Sequence, residues 1–99
     1  MAVVFLTIAP LGTGTPSVSR YVAGVEKILR ATGLKHQLTA MGTIIEGDLD
    51  EILAVIRKMH EHPFSEGAVR VSTLLKIDDR RDKEHTIAGK KRSVEEKLE

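Results

Sequence analysis

No cysteine occurs among the 99 residues, which excludes disulfides, thiolate zinc sites and a cysteine nucleophile. Asparagine is also missing, glutamine occurs once, and 29% of the residues are charged, a bias that fits a thermophilic, cytosolic source. Aromatic residues are scarce: Phe5, Tyr21 and Phe64 are all there are. Neither sign of charge dominates, since 15 Lys and Arg stand against 14 Asp and Glu, without the basic surplus of a nucleic-acid partner. No apolar run approaches the roughly 20 residues that span a bilayer. The apolar start MAVVFLTIAPLG lacks the positive region of a signal peptide. The expectation is a cytoplasmic protein with no membrane or nucleic-acid partner. Its length is that of one small domain with a modest core, for which association between copies would be a natural stabiliser.

What is present falls into short periodic elements. Val3 to Ile8 is a near-continuous run of strand formers. From Val18 the apolar residues Tyr21, Val22, Val25, Ile28 and Leu29 recur at helical spacing, with Glu26, Lys27 and Arg30 on the opposite face. Gly33 supplies a left-handed helix end. KHQLTAMGTIIEG reads as a hairpin turning near Met41 and Gly42. Asp48 and Glu51 then form a capping-box arrangement ahead of a second helix with Leu49, Ile52, Leu53, Ile56 and Met59 as its stripe. Pro63 and Gly67 break the chain. AVRVSTLLKI alternates as a last strand, with Arg70, Ser72, Leu74 and Lys76 on one side.

The order strand, helix, strand, strand, helix, strand predicts an α+β fold, the ferredoxin-like βαββαβ sandwich. It has one four-stranded antiparallel sheet, two helices on one face, central first and third strands, and edge second and fourth strands. Residues 1–99 form a single domain, with 79–99 a charged C-terminal extension. In that extension Ser93 and Glu96 suit the cap of a short terminal helix.

Two helices leave the other sheet face open. It should be apolar in its middle with a few charges set into it, a pattern that marks an interface between copies. Glu46 stands out there, because a carboxylate in a central strand is costly unless satisfied. A salt bridge with Arg70 or Lys76 is the plain way to satisfy it. A cationic or amine-bearing ligand is the other.

The loop PLGTGTPSVSR lacks the residues of a dinucleotide fingerprint or a P-loop. It reads as a turn at Gly12 and Gly14 followed by Ser17 capping the helix, and it could wall a pocket. The four histidines have no metal-ligand spacing, and no nucleophile–base pattern is visible. DDRRDKEH reads as a solvated, self-paired charge run, from which Arg80 or Arg81 could reach an anion. RNA-recognition modules share this element order but stack bases on strand aromatics, and GTIIEG has none. Acylphosphatases share the fold but use an asparagine.

PLGTGTPSVSRYVA, MGTIIEGDLDEIL, RVSTLLKIDDRRDK and KKRSVEEKL resemble, nearly end to end, the successive motifs of the small thiamine-binding protein family. The resemblance implies a ferredoxin-like subunit that dimerises through sheets and assembles as a dimer of dimers. It implies binding of thiamine or its hydroxymethylpyrimidine part, with no cofactor and no catalysis. The family's matching segments place Gly12, Ser17 and Ser19 in the loop and helix start, Thr43 and Glu46 on the third strand, and Arg70 and Lys76 on the fourth. A carboxylate such as Glu46 would pair with the aminopyrimidine or offset the thiazolium charge, and hydroxyls of Ser19 and Thr43 would complete the hydrogen bonds. The leading expectation is therefore a non-enzymatic binding protein with its ligand at or near a subunit interface. The alternative is an oligomeric regulator that binds an anion or phosphorylated metabolite through the basic side chains of the fourth strand and the helix N-terminus.

Overall fold

A computed structural model describes residues 1–98. The elements are β1 (Ala2–Pro10), α1 (Ser19–Thr32), β2 (Lys35–Leu38), β3 (Thr43–Gly47), α2 (Leu49–Ser65), β4 (Val71–Asp79) and α3 (Ile87–Lys97). The sheet runs β2-β3-β1-β4 and every pairing is antiparallel, which is the ferredoxin-like arrangement. The hydrophobic first strand and the short third strand are central because α1 and α2 pack over them. Val4, Leu29, Ile45, Ile52 and Met59 are fully buried between the layers. Each such side chain contributes about 1.5–3 kcal/mol on removal from water.

Local chemistry explains most of the boundaries. Asp48 caps α2 by accepting the Glu51 N–H, and Gly33 ends α1 at φ 75°. The β2–β3 turn is closed by Thr39, whose N–H donates to the Gly42 carbonyl while its Oγ1 accepts the Gly42 N–H.

Three local expectations are corrected. Ser17 does not cap α1: the Val18 carbonyl already accepts from Tyr21 and Val22, so Val18 is the N-cap and Ser17 lies one residue too early. Pro63 does not end α2; its ring is buried near the last turn, where the missing N–H costs one bond, and the chain turns only at Gly67 with φ 99°. The terminal helix starts at Thr86 rather than Ser93, since Thr86 is extended and its hydroxyl accepts the Gly89 N–H.

The alternation assigns the two sheet faces. Ala2, Val4, Leu6 and Ile45 point to the helices, which puts Val3, Phe5, Ile44, Glu46, Leu74, Lys76 and Asp78 on the other side. That side is not bare at the Glu46 end. The segment after β4 folds back over it, burying Val3, Glu46 and His85. The Glu46 carboxylate accepts the Ile87 N–H at 2.8 Å, with Lys35 Nζ at 3.8 Å. A carboxylate at the first turn of a helix meets unpaired N–H groups and the positive end of the helix dipole.

The anticipated pairing of Glu46 with Arg70 or Lys76 is therefore replaced by a pairing with α3. Register explains this: Glu46 lines up with Val3 and Asp78, whereas Lys76 lines up with Phe5 and Ile44, and Arg70 precedes β4. Asp78 adds a second tie: Lys90 Nζ donates to Oδ2 at 2.5 Å. His85 Nε2 lies 3.2 Å from the same oxygen but outside hydrogen-bonding geometry.

Two outcomes follow for this strap. Replacing Glu46 by Ala should cost about 1–3 kcal/mol in urea unfolding and speed tryptic cleavage between Arg80 and Lys97. Unchanged stability and cleavage would mean that α3 is held by other contacts. Asp78 sits below the ordinary carboxylate value of 3.8, chiefly through the Lys90 hydrogen bond and further through His85. A carboxyl depressed by folding contributes stability above its unfolded value and loses it as pH falls through the folded one. Hydrogen exchange of α3 amides, corrected for intrinsic rate, should therefore accelerate relative to α2 below about pH 4. A constant ratio down to pH 2 would contradict the tie.

Candidate functional site

A cavity of about 210 Å³ opens between the first turns of α1, the second half of β1 and the β2–β3 hairpin. Leu6 and Ile8 floor it from the helix-facing side of β1, and Val18, Val22 and Val25 wall it from α1. Met59 closes the base and Met41 and Leu38 form the rim, being 81% and 57% exposed. Gly42 makes the hairpin approach possible: a Cβ there would stand 2.5 Å from the Phe5 ring and 2.8 Å from the Leu6 carbonyl oxygen.

Thr7 and Thr39 also line the cavity, and one hydrogen-bonded polar pair is set into its mostly apolar walls. Thr43 Oγ1 donates to Glu26 Oε1 at 2.5 Å, the length of a hydroxyl–carboxylate bond. Glu26 Oε2 has no partner among the described residues. Glu26 belongs to α1, one turn beyond Val22. The expectation that it lies on the solvent face is corrected, because it sits on the flank of the apolar stripe, half-buried and turned to the hairpin. Among the described residues no lysine, arginine or histidine lines the cavity. The site therefore favours a flat apolar body carrying hydrogen-bond donors or positive charge, and disfavours an anion.

The residues singled out from the sequence do not converge on one point. Thr43 is in the cavity wall and buried. Gly12, Ser17 and Ser19 are exposed on the loop and helix start that lead past Val18. Arg70 lies at the same end of the sheet, its carbonyl accepting the Leu11 N–H. Lys76 is exposed on the opposite sheet face, on the order of 20 Å along the strand from Arg70. Glu46 is on that opposite face too, under the strap.

A second cavity, about 510 Å³, separates the end of β4 from α3 and is lined by Arg80, Lys83, His85, Lys90 and Arg92 together with Asp78. It is larger but built from long charged side chains. Two of these are already committed, Arg80 to Asp82 at 2.6 Å and Lys90 to Asp78. Arg80 also pulls the Asp82 carboxyl down to about 2. Apolar walls with one convergent polar pair make the smaller cavity the better candidate.

Residues 4–95 match the family described as "Thiamine-binding protein". The chain belongs to that family. Among similar proteins, the UPF0045 protein YqgV of Bacillus subtilis is 52% identical, covering 100% of this chain and 99% of its own. The crystal structure of protein MJ1052 from Methanocaldococcus jannaschii superposes with a TM-score of 0.87 at 42% identity, over 96% of each chain. A Thermotoga maritima protein with a provisional assignment to thiamine biosynthesis or salvage superposes with a TM-score of 0.79. Its identity is 18%, with 94% of this chain and 97% of that one covered, a likeness of fold alone. Family membership agrees with a small-molecule binding site. No helix of the described residues is long and apolar enough to cross a membrane.

Replacing Gly42 by Ala tests the tight hairpin approach that shapes this site. Overpacking against Phe5 and Leu6 should cost about 1–3 kcal/mol and lower the melting temperature. A melting temperature equal to wild type would show that the hairpin stands further from β1.

Proposed function

We propose that this chain binds thiamine or its hydroxymethylpyrimidine moiety without transforming it, seating the aminopyrimidine ring in the cavity between α1 and the β2–β3 hairpin. The supporting observation is the hydrogen-bonded Glu26–Thr43 pair inside mostly apolar walls. An aminopyrimidine is flat and carries an exocyclic amine. The free Glu26 Oε2 accepts from that amine while Thr43 fixes the carboxylate rotamer. At about 210 Å³ the cavity is smaller than sites that enclose a drug-sized ligand, about 300–1,000 Å³, so it holds one ring and leaves the remainder at the mouth. There the exposed Met41 and Leu38 offer apolar cover that a neighbouring copy would complete.

The reading includes self-association, because the strap leaves Phe5 and Ile44 half-exposed and Leu74 63% exposed on the open face. The role is then sequestration, delivery or sensing in the cytoplasm, without catalysis. An anion receptor fits this cavity poorly, since its one ionisable lining residue is an acid.

Isothermal titration of thiamine and of hydroxymethylpyrimidine into wild type, Glu26→Gln and Glu46→Gln tests the proposal. Loss of a charge-assisted hydrogen bond worth about 1.5–3 kcal/mol should weaken Glu26→Gln binding by about tenfold or more. Glu46→Gln should bind within about twofold of wild type, an affinity change under about 0.5 kcal/mol. Absent or only millimolar binding of both compounds by wild type overturns the proposal. A larger loss in Glu46→Gln than in Glu26→Gln moves the site to the opposite face.

A further inference from the structure

Sulfur chemistry in this chain is confined to three methionines, because cysteine is absent. Two of them, Met41 and Met59, line the cavity between α1 and the β2–β3 hairpin, at its opposite ends. Met59 closes the base from α2 and is 0% exposed. Met41 stands on the rim, 81% exposed and open to solutes. Met1 lies beside Ala2 and Asp48, at the far end of the β1–β3 ladder from Thr43. The turn that presents Met41 is anchored. Thr39 Oγ1 accepts the N–H groups of Met41 and Gly42, and the Thr39 N–H and hydroxyl both donate to the Gly42 carbonyl. Gly42 already stands against the Phe5 ring and the Leu6 carbonyl, so the turn has no room to move inward.

A thioether suits this position. It is unbranched, polarisable and apolar, and it makes favourable contacts with aromatic rings. Oxidation turns the same side chain into a polar sulfoxide, which disrupts apolar contacts. We propose that Met41 is an oxidation site whose sulfoxide weakens ligand binding, and that a bound ligand shields it from oxidant. The inference rests on the reading of this cavity as a site for thiamine or its pyrimidine part. The co-reactant is hydrogen peroxide. A sulfur lone pair attacks one peroxide oxygen, the S–O bond forms as the O–O bond breaks, and the second oxygen leaves as water. Sulfur loses two electrons, peroxide gains them, and sulfoxide-reducing enzymes reverse the change. With no thiol in the chain to react first, the exposed thioether meets the oxidant directly. The sulfoxide oxygen is a strong acceptor that favours water, so the side chain leaves the apolar mouth it shares with Leu38 and Val18. A cavity of about 210 Å³ holds one ring, and the part of the ligand at the mouth then loses its cover.

Peroxide oxidation at neutral pH, followed by peptide mass spectrometry with N-acetylmethionine in the same tube as a reactivity standard, tests the proposal. In the ligand-free protein Met41 should react at close to the rate of the standard, and Met59 about tenfold slower or more. Saturating thiamine should slow Met41 several-fold relative to the standard. Protein oxidised at Met41 should bind thiamine about three- to tenfold more weakly by isothermal titration, and a sulfoxide reductase should restore the affinity. Met41→Leu, at an exposed site that folding tolerates, should bind within about twofold of wild type and keep that affinity after peroxide treatment. Met1 remains oxidisable in this variant, so a loss that persists there places the effect elsewhere and overturns the proposal. Equal Met41 rates with and without thiamine, or unchanged affinity of the sulfoxide form, overturn it while leaving the thiamine reading intact. A neighbouring copy seated over the rim would make Met41 as slow as Met59 without ligand, which also overturns it. Failure of untreated wild type to bind thiamine overturns the functional reading and this inference together.

Discussion

Two helices centred on the inner strands cannot cover a four-stranded sheet, and the rest of the molecule responds to that shortfall. Val4 and Ile45, on β1 and β3, are completely buried, while Ile77, next to Val4 on the same face, remains 44% exposed. The helix layer thus leaves the β4 flank partly exposed and the opposite face without helices α1 and α2. At the Glu46 end the chain finishes the face itself with the strap of residues 80–87. Elsewhere Phe5, Ile44 and Leu74 remain uncovered or only half-covered. The hairpin beyond the other flank of the helices closes only partly over α1, and the gap is the candidate cavity. The open face and the cavity share one cause, incomplete coverage.

Glu46 shows how far residue types alone carry an argument. Its position in an inner strand marks it as a carboxylate that needs a partner, and the structure finds it buried at 4% exposure. Identifying that partner required tertiary information. Arg70 and Lys76 share its face by alternation, but strand register decides which residues are neighbours, and register lines Glu46 up with Val3 and, beyond it, Asp78. The backbone N–H that satisfies it belongs to a charged segment with no apolar periodicity to announce a packed helix.

Strong periodicity and turn chemistry were legible: the element order, the inner and outer strands, the Asp48 cap and the Gly33 terminus all follow from local patterns. Boundaries that rest on a single hydroxyl were less so. Ser17 and Ser93 are good caps in isolation, but Val18 and Thr86 hold the backbone geometry that capping requires. The cavity acid was the largest omission. Glu26 adjoins charged Lys27 on a helix flank, where a step of 100° per residue leaves it between the core stripe and solvent. Only the hairpin's approach turns that flank into an interior wall, and Thr43 was the one residue of this pair that the family motifs had marked.

The bond between Glu46 and the Ile87 amide joins positions 41 residues apart. During synthesis the sheet can close, with β4 in place, before residue 87 has left the ribosome. For that interval Val3 lies uncovered and a carboxylate stands among apolar neighbours with only a distant lysine. The segment that follows β4 thus acts as a seal on the inner strand β1.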